Sequence, residues 1–200
     1  MREAAFGNLA LAAEQTASAL NLASNRGVQI LAGLALAREE DSTRAERIAD
    51  ELQKRFPLDT VINGYWLPTI RASIEINRSD PSKAIELLKA AAPYELGLLP
   101  SNLEFGALLY PAYVRGQAYL LLHEGSEATV EFQKFLDLRS LVANNPLFVL
   151  AHLGLARAYA MQRDNAKARA AYQDFLTLWK DAHPDIPVLI AAKSEYSKLQ

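Results

Sequence analysis

Arg115-Gly116-Gln117-Ala118-Tyr119 and, forty residues later, Leu155-Ala156-Arg157-Ala158-Tyr159 are the two stretches that decide how this chain folds. Each Tyr is followed nine residues on by an Ala (Ala128, Ala168) and four after that by an aromatic (Phe132, Tyr172). The agreement continues through Gln133 and Gln173, Phe135 and Phe175, Leu136 and Leu176, Leu138 and Leu178. A fixed period of this length marks a stacked repeat architecture, in which a unit buries its apolar face against its neighbours. Such chains bind along an extended surface and seldom catalyse.

Outward from this pair of stretches, capping chemistry sets the helix boundaries. Asp41-Ser42, Asp80-Pro81, Ser126, Asn145-Pro146 and Asp164 are N-cap residue types, two of them with Pro where its missing N–H costs nothing. Apolar residues recur between them at three- and four-residue spacing, as in Leu34 and Ala37, then Ala45, Ile48, Ala49 and Leu52. Helix pairs follow at 26–39 with 42–56, 60–78 with 81–92, 108–123 with 126–139, and 147–162 with 165–181. A helix over 9–22 precedes them and one over 186–198 closes the chain. The whole of 1–200 reads as a single domain: a partial pair at 1–24, pairs at 26–56, 60–92, 108–139 and 147–181, and a capping helix at 186–198.

Pro57, Pro93, Pro146 and Pro184 fall between pairs, where a residue that cannot continue a helix belongs. Pro68 falls inside a helix, which must start near Leu67 or kink there. Residues 93–106 form the one long irregular connection, either a spacer or a functional loop.

Composition narrows the classes of function. Half of the 200 residues are hydrophobic, enough for a sizeable core, and Ala and Leu dominate. A formal charge of −2 gives no bulk attraction to nucleic acid or anionic lipid. The absence of cysteine excludes disulfides, thiol catalysis and Cys-based zinc sites, but does not fix the compartment. The longest uncharged run, Ser140 to Ala156, is broken by Asn144, Asn145 and Pro146 and is no membrane span. His123, His152 and His183 lack ligand spacing, and no Ser sits in a nucleophile elbow. Glu39-Glu40-Asp41 reads as a turn into a helix N-terminus. No catalytic residue, cofactor or metal is expected, and the expected partner is a protein or peptide.

The small residue, the Tyr three later, the Ala nine after it, the aromatic four on and a closing Pro resemble the tetratricopeptide repeat. The third pair carries Gly116, Tyr119, Ala128, Phe132 and Pro146; the fourth carries Ala156, Tyr159, Ala168, Tyr172 and Pro184. The first keeps Gly33, Ala45 and Pro57 but has Leu36 and Ala49; the second keeps Ala72, Ala84 and Pro93 but has Glu75 and Leu88. The key alanines are 39, 44 and 40 residues apart, against roughly 34 in that family, which leaves longer helices or loops.

The chain also resembles the carboxy-terminal repeat region of bacterial, especially acidobacterial, serine/threonine protein kinases. Arg55-Phe56-Pro57-Leu58-Asp59, Tyr65-Trp66-Leu67-Pro68-Thr69-Ile70-Arg71, Ala92-Pro93-Tyr94-Glu95-Leu96-Gly97 and Ala112-Tyr113-Val114-Arg115-Gly116-Gln117-Ala118-Tyr119 carry that likeness. It implies an all-α, tetratricopeptide-like α-solenoid, a right-handed superhelix of antiparallel pairs with a C-terminal capping helix. It also implies the non-catalytic region of a larger signalling protein, cytoplasmic, or extracytoplasmic if the parent chain spans a membrane upstream. The chain has no glycine-rich phosphate loop, His-Arg-Asp or Asp-Phe-Gly of its own.

In such a superhelix Tyr119, Phe132, Phe135, Tyr159, Tyr172 and Phe175 fill the interior of the pairs. A second stripe on each first helix faces the concave side: Trp66, Thr69 and Ser73; Tyr110, Tyr113 and Gln117; Leu150, Leu153 and Arg157; with Ile30, Leu34 and Arg38 from the first pair. Large aromatics beside Arg and amides suit a peptide-binding groove. Too few cations line it for the clamp that holds a chaperone's terminal carboxylate.

The expected function is a protein-interaction scaffold. The alternative is a small-molecule-sensing domain that controls an attached catalytic or DNA-binding module, with a closed pocket near Trp66 and the 93–106 loop. At the ends, Ile186, Val188, Leu189 and Ala192 are expected to face the fourth pair, with Lys193, Ser194, Glu195, Ser197 and Lys198 toward solvent. Ala4, Ala5, Phe6, Leu9 and Leu11 are expected to lack a covering helix, leaving the amino-terminal helix weakly held and prone to self-association.

Overall fold

The computed structural model describes residues 1–97, 109–142 and 145–199. Those residues form helices joined by turns and short irregular stretches, with no strand among them. The helices are α1 (Arg2–Phe6), α2 (Leu9–Leu22), α3 (Arg26–Arg38), α4 (Ser42–Arg55), α5 (Leu67–Asn77), α6 (Pro81–Leu88), α7 (Tyr110–Leu121), α8 (Gly125–Asp137), α9 (Arg139–Val142), α10 (Pro146–Met161), α11 (Asn165–Leu178) and α12 (Pro187–Ser197). Most of the 93–106 connection lies outside the described residues.

Side-chain caps start five of these helices within the pairs, α3 through Asn25, which accepts the Val28 N–H at 3.0 Å. Asp41, Asp80 and Asp164 accept the N–H of the residue three later at 3.1, 3.0 and 3.1 Å, and Asn145 accepts that of Leu147 at 2.9 Å. Ser126 does not cap α8: the helix begins at Gly125 behind Glu124, which makes no side-chain cap. The turn into α8 has the geometry of the others without their residue chemistry.

That turn recurs in all four pairs. Glu40, Ser79, His123 and Arg163 each take positive φ, at 65°, 61°, 59° and 62°. The next residue's N–H then returns to the carbonyl five positions back: Asp41 to Leu36, Asp80 to Glu75, Glu124 to Tyr119 and Asp164 to Tyr159, at 2.9–3.0 Å. This is the Schellman closure, which satisfies orphan carbonyls at a helix C-terminus. The turns are 39, 44 and 40 residues apart, the intervals of the key alanines, so the pairs repeat in backbone geometry even where the side chains differ.

Pro68 is accommodated by a change of helix pitch. Ile62–Trp66 winds as a π-helical turn in which the Leu67 N–H reaches Ile62, and α5 begins at Leu67 with Pro68 in its first turn. The wider turn makes room for a ring that would otherwise clash with the carbonyl one turn back. Asp59 anchors its start, accepting the Ile62 N–H at 2.9 Å and the Arg26 guanidinium at 2.7 Å.

The short intrapair turns make α3/α4, α5/α6, α7/α8 and α10/α11 antiparallel neighbours. Each pair packs on the next, α3 and α4 on α5, α5 and α6 on α7, α7 and α8 on α10, with one continuous core. Ala45, Ala84, Ala128 and Ala168 are wholly buried. The tightest joint holds the Phe132 ring between two glycines. A Cβ on Gly116 would lie 2.8 Å from the ring, and one on Gly154 2.7 Å. Phe135, Tyr172 and Phe175 are buried as well, but Tyr119 and Tyr159 sit at the edge of the core, half-exposed.

Arg115, buried in α7, bonds both Glu95 and Glu131, and Lys134 completes a balanced network at 3.3 and 2.7 Å. The network ties the segment after α6 to α7 and α8. A buried guanidinium is tolerable here because two carboxylates meet it.

The amino-terminal end departs from the expectations, and the carboxy-terminal end departs at Glu195 alone. α1 turns back over α3 and reaches α10. Ala4 is therefore covered, against Ala12 and Ala35, and the Phe6 ring meets Trp179 edge-on at 4.7 Å. Leu9 and Leu11 do remain exposed, and Ala12 and Thr16 are the only buried residues of α2. In α12, Leu189 and Ala192 are buried, and Glu195 faces the protein instead of solvent.

Two stability measurements follow. Ser79→Gly relieves a positive φ at an exposed position and should raise the urea midpoint, by about 0.5–1 kcal/mol once the unfolded-state entropy of Gly is set against the relief. Ala128→Leu should lower it by roughly 1–3 kcal/mol through overpacking between α7 and α8.

Candidate functional site

The expected concave stripe is mostly interior. Trp66, Thr69, Ser73, Tyr110, Tyr113 and Leu153 are buried, as are Ile30, Leu34 and Leu150; only Arg38, Gln117 and Arg157 are part-exposed. Thr69 and Ser73 turn their hydroxyls onto the carbonyls of Tyr65 and Thr69 in their own helix. Trp66 packs against Tyr65, with ring centroids 4.8 Å apart, and its Nε1 is buried without a partner.

Part of the stripe does converge. Tyr113, Gln117, Leu150, Leu153 and Arg157 line one half-open recess of about 320 Å³ between α7 and α10. Leu121 and Val188 stand at it too, and Phe132 and Gly154 reach it from the joint described above. The Tyr113 ring packs edge-on against Phe132 and Phe135, at 5.7 and 6.2 Å, so the lining is fixed by the core. An apolar recess with an amide and a cation among its lining residues offers burial to one apolar side chain and hydrogen bonds to the backbone beside it.

Arg157 is already engaged. Its Nε and Nη2 donate to the two oxygens of Glu195 in α12, at 2.9 and 2.8 Å, and the Tyr172 hydroxyl donates to the same carboxylate at 2.8 Å. Burial raises the Glu195 pKa, but the hydrogen bond and charge of Arg157 outweigh it and hold the carboxyl below its ordinary value near 4.5. Burial likewise pushes the Tyr172 hydroxyl up, and the Glu195 carboxylate adds to the shift. Sequence spacing gave no sign of this latch, because its halves lie 38 residues apart on different elements.

The second cluster lies at the α3 end of the stripe. The Arg38 guanidinium carbon is 5.1 Å from the Tyr113 ring centroid and 5.6 Å from that of Tyr110, and its Nε donates to the Tyr110 hydroxyl at 3.1 Å. Its Nη2 is buried without a hydrogen-bond partner. Above the cluster lies α1, with the Met1 thioether 4.0 Å from the Tyr110 hydroxyl, while Gly7 abuts Pro187 at the start of α12.

Among the described residues no group of three His, Asp or Glu side chains is placed to hold a metal ion, and no helix is long and apolar enough to cross a membrane. Burial lowers the His152 pKa, against the pull of Asp174. No family model matches the chain, and neither does any curated protein or solved structure.

The Arg157–Glu195 latch has a definite pH signature. A carboxyl held below its unfolded value contributes stability that is complete above about pH 4.5 and is lost as the pH falls through the depressed folded value. The urea midpoint of the wild type should therefore exceed that of Glu195→Gln at about pH 6, and the difference should shrink at about pH 3. A constant difference would mean that the carboxylate charge is not what holds α12.

Proposed function

We propose that this chain is a tetratricopeptide-like α-solenoid that binds a peptide segment of a partner protein on the face built by α3, α5, α7 and α10. It is not an enzyme in its own right. The observation that carries the reading is the recess of about 320 Å³, where five stripe residues, Tyr113, Gln117, Leu150, Leu153 and Arg157, line one opening. That size suits a single large side chain, at the low end of ligand sites. Four helix pairs closed by the same turn, with a buried alanine in each second helix, support the solenoid reading. Placement in a signalling protein of the serine/threonine kinase kind rests on the sequence likeness over Tyr65–Arg71 and Ala112–Tyr119.

Selection of displayed random peptides against the chain tests the reading directly. Leu121 lines the recess and is half-exposed, so Leu121→Asp should leave the melting temperature within about 2 °C of wild type. Selected peptides should bind wild type and lose at least about tenfold in affinity to Leu121→Asp, about 1.4 kcal/mol. Peptides that ignore Leu121→Asp, or no enrichment, would contradict it.

A further inference from the structure

We propose that the groove receives a short partner helix bearing an acidic side chain, and that α1 holds its place until that helix displaces it. The inference rests on the peptide-binding reading and adds the chemistry of the partner and the means of exchange.

The first observation is a charge with aromatic and hydroxyl partners but no counter-ion. Arg38 keeps its cation under all conditions a protein meets. Yet among the described residues no carboxylate lies within ion-pair reach of it, and its buried Nη2 has no acceptor. Glu39, its chain neighbour, accepts the Thr16 hydroxyl instead, at 3.2 Å. The other buried guanidinium of the fold, that of Arg115, meets two carboxylates. A buried charged donor left unpaired is costly, and a ligand that brings an acceptor recovers that cost on binding. Trp66, whose ring centroid is 6.5 Å from that of Tyr110, likewise leaves its Nε1 buried and unpartnered.

The second observation is what covers this charge. Met1 and α1 place the Met1 thioether at Tyr110, Ala4 on Ala35 and Phe6 on Trp179, and the Met1 amino group acts on Arg38 as a like charge. This packing shows that the groove accepts a helix and which apolar contacts suit it, but it leaves Arg38 unmatched. α1 is also easily moved. It ends at Gly7 in the left-handed region and leads into α2, which buries only two residues. A helix with a Glu or Asp where Met1 now lies would keep the apolar contacts and pair with Arg38.

The absence of cysteine allows α1 to be locked. A Cβ on Gly7 would lie 3.1 Å from the Pro187 Cβ, so a small shift that also absorbs the strain of a side chain at φ 86° brings Gly7→Cys and Pro187→Cys to disulfide spacing. The probes are two acetylated, amidated synthetic peptides, residues 1–8 as they stand and the same with Met1→Glu, titrated by calorimetry against the full chain carrying both cysteines. With the disulfide reduced, the Glu peptide should bind at least about tenfold tighter than its parent. Oxidation should weaken both at least tenfold.

Arg38→Gln in the same background should erase the preference, and Arg38→Lys, which keeps the charge, should retain part of it while reporting that the fold survives. Equal affinity for the two peptides, or binding of neither, overturns the acidic partner; affinity indifferent to oxidation overturns the exchange. Either failure would leave library peptides that depend on Leu121 untouched, so the groove itself is judged separately.

Discussion

The Phe132 ring, held between Gly116 of α7 and Gly154 of α10, is the contact on which the rest of the arrangement depends. A glycine on either side lets two backbones approach one aromatic ring, and the ring then sets the spacing of three helices at once. Tyr113 packs on that ring, and Gly154 and Phe132 reach the recess beside it. The candidate site therefore inherits its shape from the joint between the third and fourth pairs. In the first two pairs the joint is built differently: Gly33 admits the Ile70 side chain from α5, with Ile48 of α4 beside it.

Around that joint the fold repeats by backbone closure more than by side-chain identity. Glu, Ser, His and Arg all occupy the left-handed position of the intrapair turn, a conformation that favours none of them. Tertiary packing of each pair overrides that local cost. The same tolerance explains how the first two pairs keep the geometry while lacking the Tyr and the aromatic of the third and fourth.

What was legible in the sequence was local. Asp41, Asp80, Asn145 and Asp164 announce helix starts because a short acceptor two or three residues before a free N–H has one evident use, and the buried alanines announce close helix approach by their period. The lining of the recess was legible only in part: three- and four-residue spacing finds the right face of a helix, but cannot say that Trp66, Thr69 and Ser73 are shut into the interior while Gln117 stays open. What could not be read depended on contacts far apart in the chain. The pairing of Arg157 with Glu195 and of Arg115 with Glu95, and the return of α1 across Arg38, all join elements whose proximity no periodicity encodes. Phe6 looked uncovered because its cover, Trp179, lies far along the chain from it.

The most direct measurement is the urea midpoint of Gly154→Ala. In an ordinary helix interior this change stabilises by about 0.5–1 kcal/mol, since Ala loses less conformational freedom than Gly. Here the new methyl would lie 2.7 Å from the Phe132 ring, too close for the ring to stay in place. The expected result is the opposite sign, a fall of roughly 1–3 kcal/mol from overpacking, partly recovered when Phe132→Leu is added. A midpoint that rises in Gly154→Ala would contradict the claim that this glycine-clamped ring sets the spacing of the helices and, with it, the shape of the recess.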